Sequence, residues 1–133
     1  MFERPQIGER AVLVHVSFAG VMDNDRLAEL TELATSAGAL PVSVLSTSRE
    51  APDIRLFVGS GKVEEIAERI RETEANLVVF DHALSPAQER NLERALQCRV
   101  LDRISLILDI FAQRAHTFEG QLQVELAQLR HLS

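Results

Sequence analysis

Gly59, Gly61 and Lys62 form the most recognisable chemical pattern in the sequence, a glycine-rich turn with one lysine. The backbone N–H groups of such a turn, at the start of a helix, can bind a phosphate together with the lysine. The phosphate-binding loop of GTPases also needs a glycine where Leu56 stands and a magnesium-binding hydroxyl where Val63 stands. The turn therefore predicts at most a generic anion site, and the simpler interpretation is a tight strand-to-helix turn.

Asp81 is a second candidate, because it directly follows the most apolar predicted strand and precedes His82. Ligand crevices of open parallel sheets form at the carboxyl ends of the strands, so Asp81 joins the turn as a candidate nucleotide contact. No nucleophile, second carboxylate or metal-ligand spacing accompanies the pair, so we predict no catalytic residue and no metal ligand. We expect Asp81 to bind loop amides, and His15 to be a hydrogen-bonded core residue.

Arginine supplies thirteen of the fourteen basic residues, and its planar guanidinium is well suited to phosphate. The candidate contacts to RNA phosphates are Arg90, Arg94, Arg99, Arg103 and Arg114. The net charge of −6 does not by itself indicate a nucleic-acid-binding protein. The excess of acidic residues lies within residues 1–84, so the part with these arginines is balanced in charge.

The composition is that of a globular protein with one core, and 133 residues suffice for one α/β domain with an appendage. Cys98 is the single cysteine, which excludes a disulfide framework. No apolar stretch approaches the length of a membrane span, and the first residues lack the pattern of a signal peptide. We expect a cytoplasmic protein without membrane insertion.

Strands and helices alternate along the first hundred residues, which predicts an α/β fold with a mainly parallel four-stranded sheet flanked by helices. The predicted strands are 11–18, 41–45, 76–81 and 99–101, with a short edge strand considered at 56–58. Ser85, Pro86 and Gln88 form a capping box that predicts a helix start. We assign residues 1–101 to this sheet subdomain.

Residues 102–133 form a long helical pattern with one apolar stripe. The stripe consists of Ile104, Leu108, Phe111, Ala115, Phe118, Leu122, Leu126 and Leu129. A helix of this extent is about 40 Å long, so we expect it to project as the first arm of a helical hairpin whose second arm is missing. The alternative is an ordinary terminal helix that folds back onto the domain. If the helix projects, its exposed apolar side chains form a predicted self-association seam for a homodimer, which consists of Phe118, Leu122, Leu126 and Leu129.

Several long segments of the sequence resemble the N-terminal domain of the HflX family of translational GTPases. They are F-V-G-S-G-K-V-E-E-I (57–66), F-D-H-A-L-S-P-A-Q-E-R-N-L (80–92), L-I-L-D-I-F-A-Q-R-A (106–115) and E-G-Q-L-Q-V-E-L-A-Q-L (119–129). Their order is that of the family, and the resemblance covers essentially the whole chain. The chain departs from the family at residues 104–105 and 116–118, near the start of the arm.

The resemblance implies a sheet subdomain, a helical hairpin and then a GTPase domain that binds GTP and magnesium and makes the parent protein a GTP hydrolase. It also implies binding to the large ribosomal subunit and its rRNA, in the splitting or rescue of ribosomes. This chain, which would end before the GTPase domain, is then a ribosome-binding module without enzymatic activity. The alternatives are an ATP-binding α/β domain that uses the turn from Gly59 to Lys62, and a coiled-coil interaction domain without a ligand.

Overall fold

A computed structural model describes residues 8–18, 24–49 and 55–132. Its strands are β1 (Arg10–Phe18), β2 (Leu40–Arg49), β3 (Leu77–Phe80) and β4 (Arg99–Asp102), and its helices are α1 (Asn24–Ser36), α2 (Ser60–Thr73), α3 (Pro86–Leu96) and α4 (Arg103–Leu132). The strands form one parallel sheet in the order β2-β1-β3-β4. The predicted α/β class, with a four-stranded parallel sheet flanked by helices, is confirmed.

The sheet separates two apolar cores, because successive side chains of a strand point to opposite faces. Val12, Val14 and Phe80 pack on one face in a cluster that also contains residues of α2 and α3. Leu13 and Val79 pack on the other face in a cluster with residues of α1 and of the start of α4. The two central strands, β1 and β3, are therefore covered on both sides, which explains their almost continuous apolar sequences.

Two local predictions differ from the structure. The predicted strand 41–45 continues to Arg49 as β2, because the polar residues 46–48 also pair with β1. Residues 56–58 form a tight turn instead of an edge strand, with a 2.7 Å hydrogen bond from the Val58 N–H to the Leu56 carbonyl. Phe57 at its centre has a φ of +68°, which identifies the rarer and more strained kind of γ-turn.

The predicted start of α3 is confirmed in detail. The Ser85 hydroxyl accepts from the Gln88 N–H at 3.1 Å, and the Gln88 side chain accepts from the Ser85 N–H at 2.9 Å. Pro86 occupies the first turn, where its missing N–H has no intrahelical partner to lose. The N–H groups of Ser85 and Gln88 are therefore satisfied locally, as the sequence indicates.

α4 packs on the sheet only at its start and then projects from it. Leu106 and Ile110 are buried in the core, whereas all side chains described from residue 114 onward are exposed. The large side chains of the predicted apolar stripe are each 45–64% exposed. The prediction of a long projecting helix is confirmed, and the alternative of a helix folded back onto the domain is wrong. Whether the chain divides between residues 101 and 102 stays a prediction.

The first turns of α4 have two apolar faces. Leu106 and Ile110 face the domain core, and Ile104 and Leu108 lie on the opposite side with half of their surface exposed. The stripe is therefore separate from the face by which α4 is attached. Within the described ranges, no helix combines the length and the apolar content that a bilayer-crossing segment requires.

Candidate functional site

The carboxyl ends of β1 and β3 meet at the point where the winding of the sheet reverses. The chain passes from β1 to β2 on one side of β1, and it returns to β3 and then β4 on the other side. In open parallel sheets, a crevice suitable for ligands forms at this topological switch point. Val14 of β1 pairs with Phe80, the last residue of β3, so His15 in the middle of β1 and Asp81 directly after β3 lie beside each other there.

Asp81 is the centre of a buried polar network that we name the Asp81 cluster, formed with His15, Arg26 and Arg103. The Asp81 side chain is completely buried. Its Oδ2 lies 2.9 Å from His15 Nδ1 and accepts from Arg26 Nε at 3.2 Å, and its Oδ1 accepts from Arg103 Nη1 at 2.6 Å. Arg26 also donates from Nη2 to the Asp81 carbonyl at 3.0 Å.

These contacts correct the prediction that Asp81 binds loop amides. Its partners are side chains of β1, α1 and α4, because all three elements have residues beside the end of β3. Arg103 also donates to Glu29 of α1 at 2.7 Å. Burial acts to lower the pKa of Arg103, but the bonds to Asp81 and Glu29 together outweigh burial and raise it. Asp81 thus joins three elements, and its carboxylate is fully engaged.

His15 is 2% exposed and bonded to Asp81, which confirms the prediction of a hydrogen-bonded core histidine. The Asp81 carboxylate can only accept, so Nδ1 of His15 carries a proton. Nε2 of His15 is buried and has no hydrogen-bond partner within residues 8–18, 24–49 and 55–132. The ring of His15 stacks on the ring of His82, with a distance of 5.7 Å between their centroids.

His82 lies between the rings of His15 and Phe57, whose centroids are 5.7 and 5.3 Å from its own. Its Nε2 accepts a hydrogen bond from the Val16 N–H at 3.2 Å, so this nitrogen is unprotonated. Burial is the main cause that lowers the pKa of His82, and the nearby Asp81 carboxylate offsets this only in part. The strained turn at Phe57 thus completes a row of three rings at the switch point.

We expect His82 to make the domain less stable in mild acid. The folded-state pKa of His82 lies below the unfolded value of about 6.5, so the unfolded state binds more protons between these two values. The free energy of unfolding should therefore fall as the pH drops below about 6.5. In His82→Gln, which retains an acceptor but does not titrate, urea unfolding at several pH values should show a smaller decrease. Replacing the exposed His116 with glutamine is the control, and an unchanged pH dependence in His82→Gln contradicts this assignment.

Asp102 and Arg26 are structurally important residues that were not predicted from the sequence. The Asp102 carboxylate accepts from the Ser105 N–H at 2.8 Å and from the Leu84 N–H at 2.9 Å. It therefore caps α4 and holds the loop between β3 and α3, and an acid just before a helix was a usable signal. Arg26 has no comparable signal, because an arginine near the start of an amphipathic helix usually points to solvent.

The turn from Gly59 to Lys62 lies at the start of α2, as predicted, but its lysine is already engaged. Lys62 Nζ donates to the Ser46 carbonyl at 3.0 Å and pairs with Glu65 at 3.0 Å. Val63, which replaces the magnesium-binding hydroxyl residue, is buried in the core. A Cβ at Gly61 would meet no atom within 4 Å, so no close approach requires this glycine. The residues of this turn do not fit the triphosphate and magnesium of GTP. A weaker contact to a nucleotide stays a prediction, with the candidate residues Gly59, Gly61, Lys62 and Asp81.

We expect the purified chain to bind GTP with at most millimolar affinity, because it lacks the magnesium-binding hydroxyl and a complete glycine cradle. Isothermal titration calorimetry with GTP and magnesium measures this, and a micromolar dissociation constant would contradict it. If ATP binds instead, Lys62→Ala should abolish binding, with Arg71→Ala on the same helix as the control. ATP binding that survives Lys62→Ala would remove the turn from consideration.

The five candidate RNA-binding arginines fall into two groups. Arg99 pairs with Glu9 at 2.9 Å, and Arg103 pairs with Asp81 and Glu29. In contrast, Arg90, Arg94 and Arg114 are exposed on α3 and α4. The structure thus uses Arg99 and Arg103 for internal ion pairs and leaves the other three exposed, and RNA contacts by all five arginines stay a prediction.

The chain is similar to several known proteins along its whole length. Residues 24–112 match the family described as GTP-binding GTPase N-terminal. The chain is 59% identical to the GTPase HflX of Escherichia coli K12 over 133 residues, which are all of this chain and 31% of that protein. It is 49% identical over 134 residues to the GTPase HflX of Lacrimispora saccharolytica, covering all of this chain and 32% of that protein.

A solved structure has the same fold. The complex of SsGBP with GDP superimposes with a TM-score of 0.64 and 25% identity, over 91% of this chain and 34% of that chain. The chain thus spans about a third of the length of the relatives that it matches. The family match covers two thirds of its residues, and the similarity to the HflX proteins covers all of them. The chain therefore belongs to the HflX family and represents its N-terminal domain.

Proposed function

We propose that this chain is the module by which an HflX-type GTPase binds the large ribosomal subunit, in a protein that splits or rescues ribosomes. GTP binding, magnesium binding and hydrolysis are then functions of a separate GTPase domain of the parent protein. The observation that carries the proposal is the similarity over the whole chain to proteins named GTPase HflX. The poor fit of the turn from Gly59 to Lys62 to GTP supports the separation of the two functions.

The projecting part of α4 favours a module that acts by contact. From residue 114 to residue 132 it extends about 28 Å at 1.5 Å per residue, and its described side chains are exposed. A helix of this kind, held only at its start, presents a long surface to a partner. A binding role therefore agrees with the geometry better than a catalytic role.

The surface chemistry of α4 suggests that phosphate and apolar contacts are made by different parts of the chain. Residues 114–130 contain two arginines and two glutamates, so this stretch has no net charge apart from its histidine. Phe118, Leu122, Leu126 and Leu129 leave large apolar areas exposed there. In the parent protein we expect a second helix to cover this seam, as in a helical hairpin, while α3 contributes the main arginine contacts to rRNA.

We expect ribosome binding to weaken steeply with salt, because each arginine that pairs with a phosphate releases a counterion. Arg90→Ala combined with Arg94→Ala should lower the fraction of chain that cosediments with large subunits and reduce the salt dependence. Arg71→Ala, an exposed arginine on α2, is the matched control. Binding that is unaffected by both substitutions and by added salt would remove α3 from the interface, and no cosedimentation at low salt would contradict the proposed function.

A further inference from the structure

The direction in which α4 leaves the domain depends on a small number of contacts at its start. Leu106 and Ile110 are its buried apolar side chains, and the large side chains of the apolar stripe on its other side are each 45–64% exposed. Two buried side chains in adjacent turns hold a helix down but constrain its tilt weakly. The polar contacts near them therefore matter for the direction, and besides the cap by Asp102 these contacts are made to α1 and to the end of β3.

α4 and α1 lie side by side and are joined by polar contacts at two levels. At the first level, Arg103 binds Asp81 and Glu29 with bonds of 2.6 and 2.7 Å. At the second level, Gln113 donates to the Ala37 carbonyl just after α1, at the long distance of 3.4 Å. The charged contact of Arg103 is much the shorter, and charge-assisted bonds are also the stronger kind.

We propose that Arg103, held by the buried Asp81, is a positioning residue that sets the direction of the projecting helix. Asp81 suits this role because His15 and Arg26 hold its carboxylate on β1 and α1. Arg103 thus ties the first residue of α4 to a point that is immobilised by the sheet. The inference rests on the proposed function for its biological meaning, since a fixed direction matters when the helix docks on a large partner.

The length of α4 amplifies any movement at its start. Arg103 and Gln113 are ten residues apart, or about 15 Å, and about 28 Å of helix follows Gln113. If the helix pivots at Gln113, a displacement of about 1 Å at Arg103 moves the far end by about 2 Å. Loss of the Arg103 contact should therefore be most visible at the far end of the helix.

Distance measurements between spin labels test the proposal. One label is placed at Glu68 on α2 and one at Gln128 on α4, both exposed, in a Cys98→Ala, Leu122→Glu background diluted with unlabelled chain. We expect Arg103→Gln to widen the distance distribution about twofold or more. Arg103→Lys, which retains the charge but cannot bind both carboxylates in the same fork geometry, should give an intermediate width.

Arg99→Gln is the matched control, because it also breaks a half-buried arginine–glutamate pair but lies on β4 and contacts Glu9. Glu29→Gln removes only the exposed partner of Arg103, so it tests the contact while the buried bonds of Asp81 are retained. Widening in Arg103→Gln and, to a lesser extent, in Glu29→Gln supports the proposal. Unchanged widths in both variants, or equal widening in Arg99→Gln, overturn it.

Cosedimentation with large ribosomal subunits, using the same variants, distinguishes this inference from the proposed function. If Arg103→Gln widens the distribution and weakens subunit binding, both are supported. If Arg103→Gln widens the distance distribution but neither the variants nor the unsubstituted chain bind the subunit, the positioning role stands and the proposed function fails. If subunit binding is intact and the distribution stays narrow in Arg103→Gln, the positioning role fails alone.

Discussion

The purified chain is expected to associate with itself as its concentration rises, and Leu122→Glu or Leu126→Glu should strongly weaken this association. The four side chains of the self-association seam are 45–64% exposed, so each can transfer about half of its surface into an interface. This corresponds to roughly 1 kcal/mol for each side chain, half of the value for complete burial. Two antiparallel copies of α4 would bury eight such side chains, enough for a weak symmetric dimer after the cost of association.

A glutamate at position 122 or 126 removes one apolar contact from each copy, or about 2 kcal/mol in total, and introduces two charges. The dissociation constant should therefore rise about thirtyfold or more, which sedimentation equilibrium can measure. Val124→Glu is the matched control, because Val124 is also apolar and exposed but lies about 200° around the helix from Leu122.

A longer protein that includes a second helix should remain monomeric, because that helix would occupy the seam. The contradicting result is a chain that stays monomeric at high concentration, or one whose association responds equally to Val124→Glu. Either result would show that the seam is not the surface by which copies of the chain meet.

Asp81→Asn should lower the free energy of unfolding by about 3 kcal/mol, the largest single effect that we expect within the sheet domain. The substitution leaves Arg26, Arg103 and His15 around a neutral amide that cannot accept from all of them. This expected loss lies at the low end of the range for breaking a buried ion pair, because Arg26 is 41% exposed and its guanidinium can regain water. Urea unfolding measures the loss, which is a large fraction of the stability of a typical domain.

Glu29→Gln is the control for this prediction, because Glu29 pairs with the same arginine but is 60% exposed. An exposed ion pair contributes at most about 1 kcal/mol, so the two variants should differ clearly. Losses of at most about 1 kcal/mol that are equal in Asp81→Asn and Glu29→Gln would show that the Asp81 cluster does not stabilise the fold. A loss below 1 kcal/mol in both would lead to the same conclusion.

The elements that depend on local signals could be predicted from the sequence. The capping box of Ser85 and Gln88 specifies the start of α3, because its bonds join residues three apart. β1 and β3 could be recognised because strands covered on both faces need nearly continuous apolar sequence. The apolar stripe of α4 likewise follows from helical periodicity, and long matching segments indicated the family.

The elements that depend on a distant partner could not be predicted in this way. The polar end of β2 is a strand because β1 supplies its hydrogen bonds, and residues 56–58 turn away although their composition favours a strand. The sequence also left open whether the apolar stripe of α4 packs on its own domain or projects from it. Helical periodicity shows that a face is apolar but does not show what that face contacts.

The sequence by itself determined the fold class, the helix start at Ser85, the buried histidine and the family, because each follows from local residue patterns or from the order of such patterns along the chain. Only the tertiary structure decided that Asp81 binds Arg26 and Arg103 instead of loop amides, that Lys62 is engaged, and that α4 projects. In these cases the deciding partner lies far away in the sequence, as Arg26 does, 55 residues before Asp81. A hydrogen bond or an ion pair needs atoms within about 3 Å, and only the folded chain brings such distant residues together.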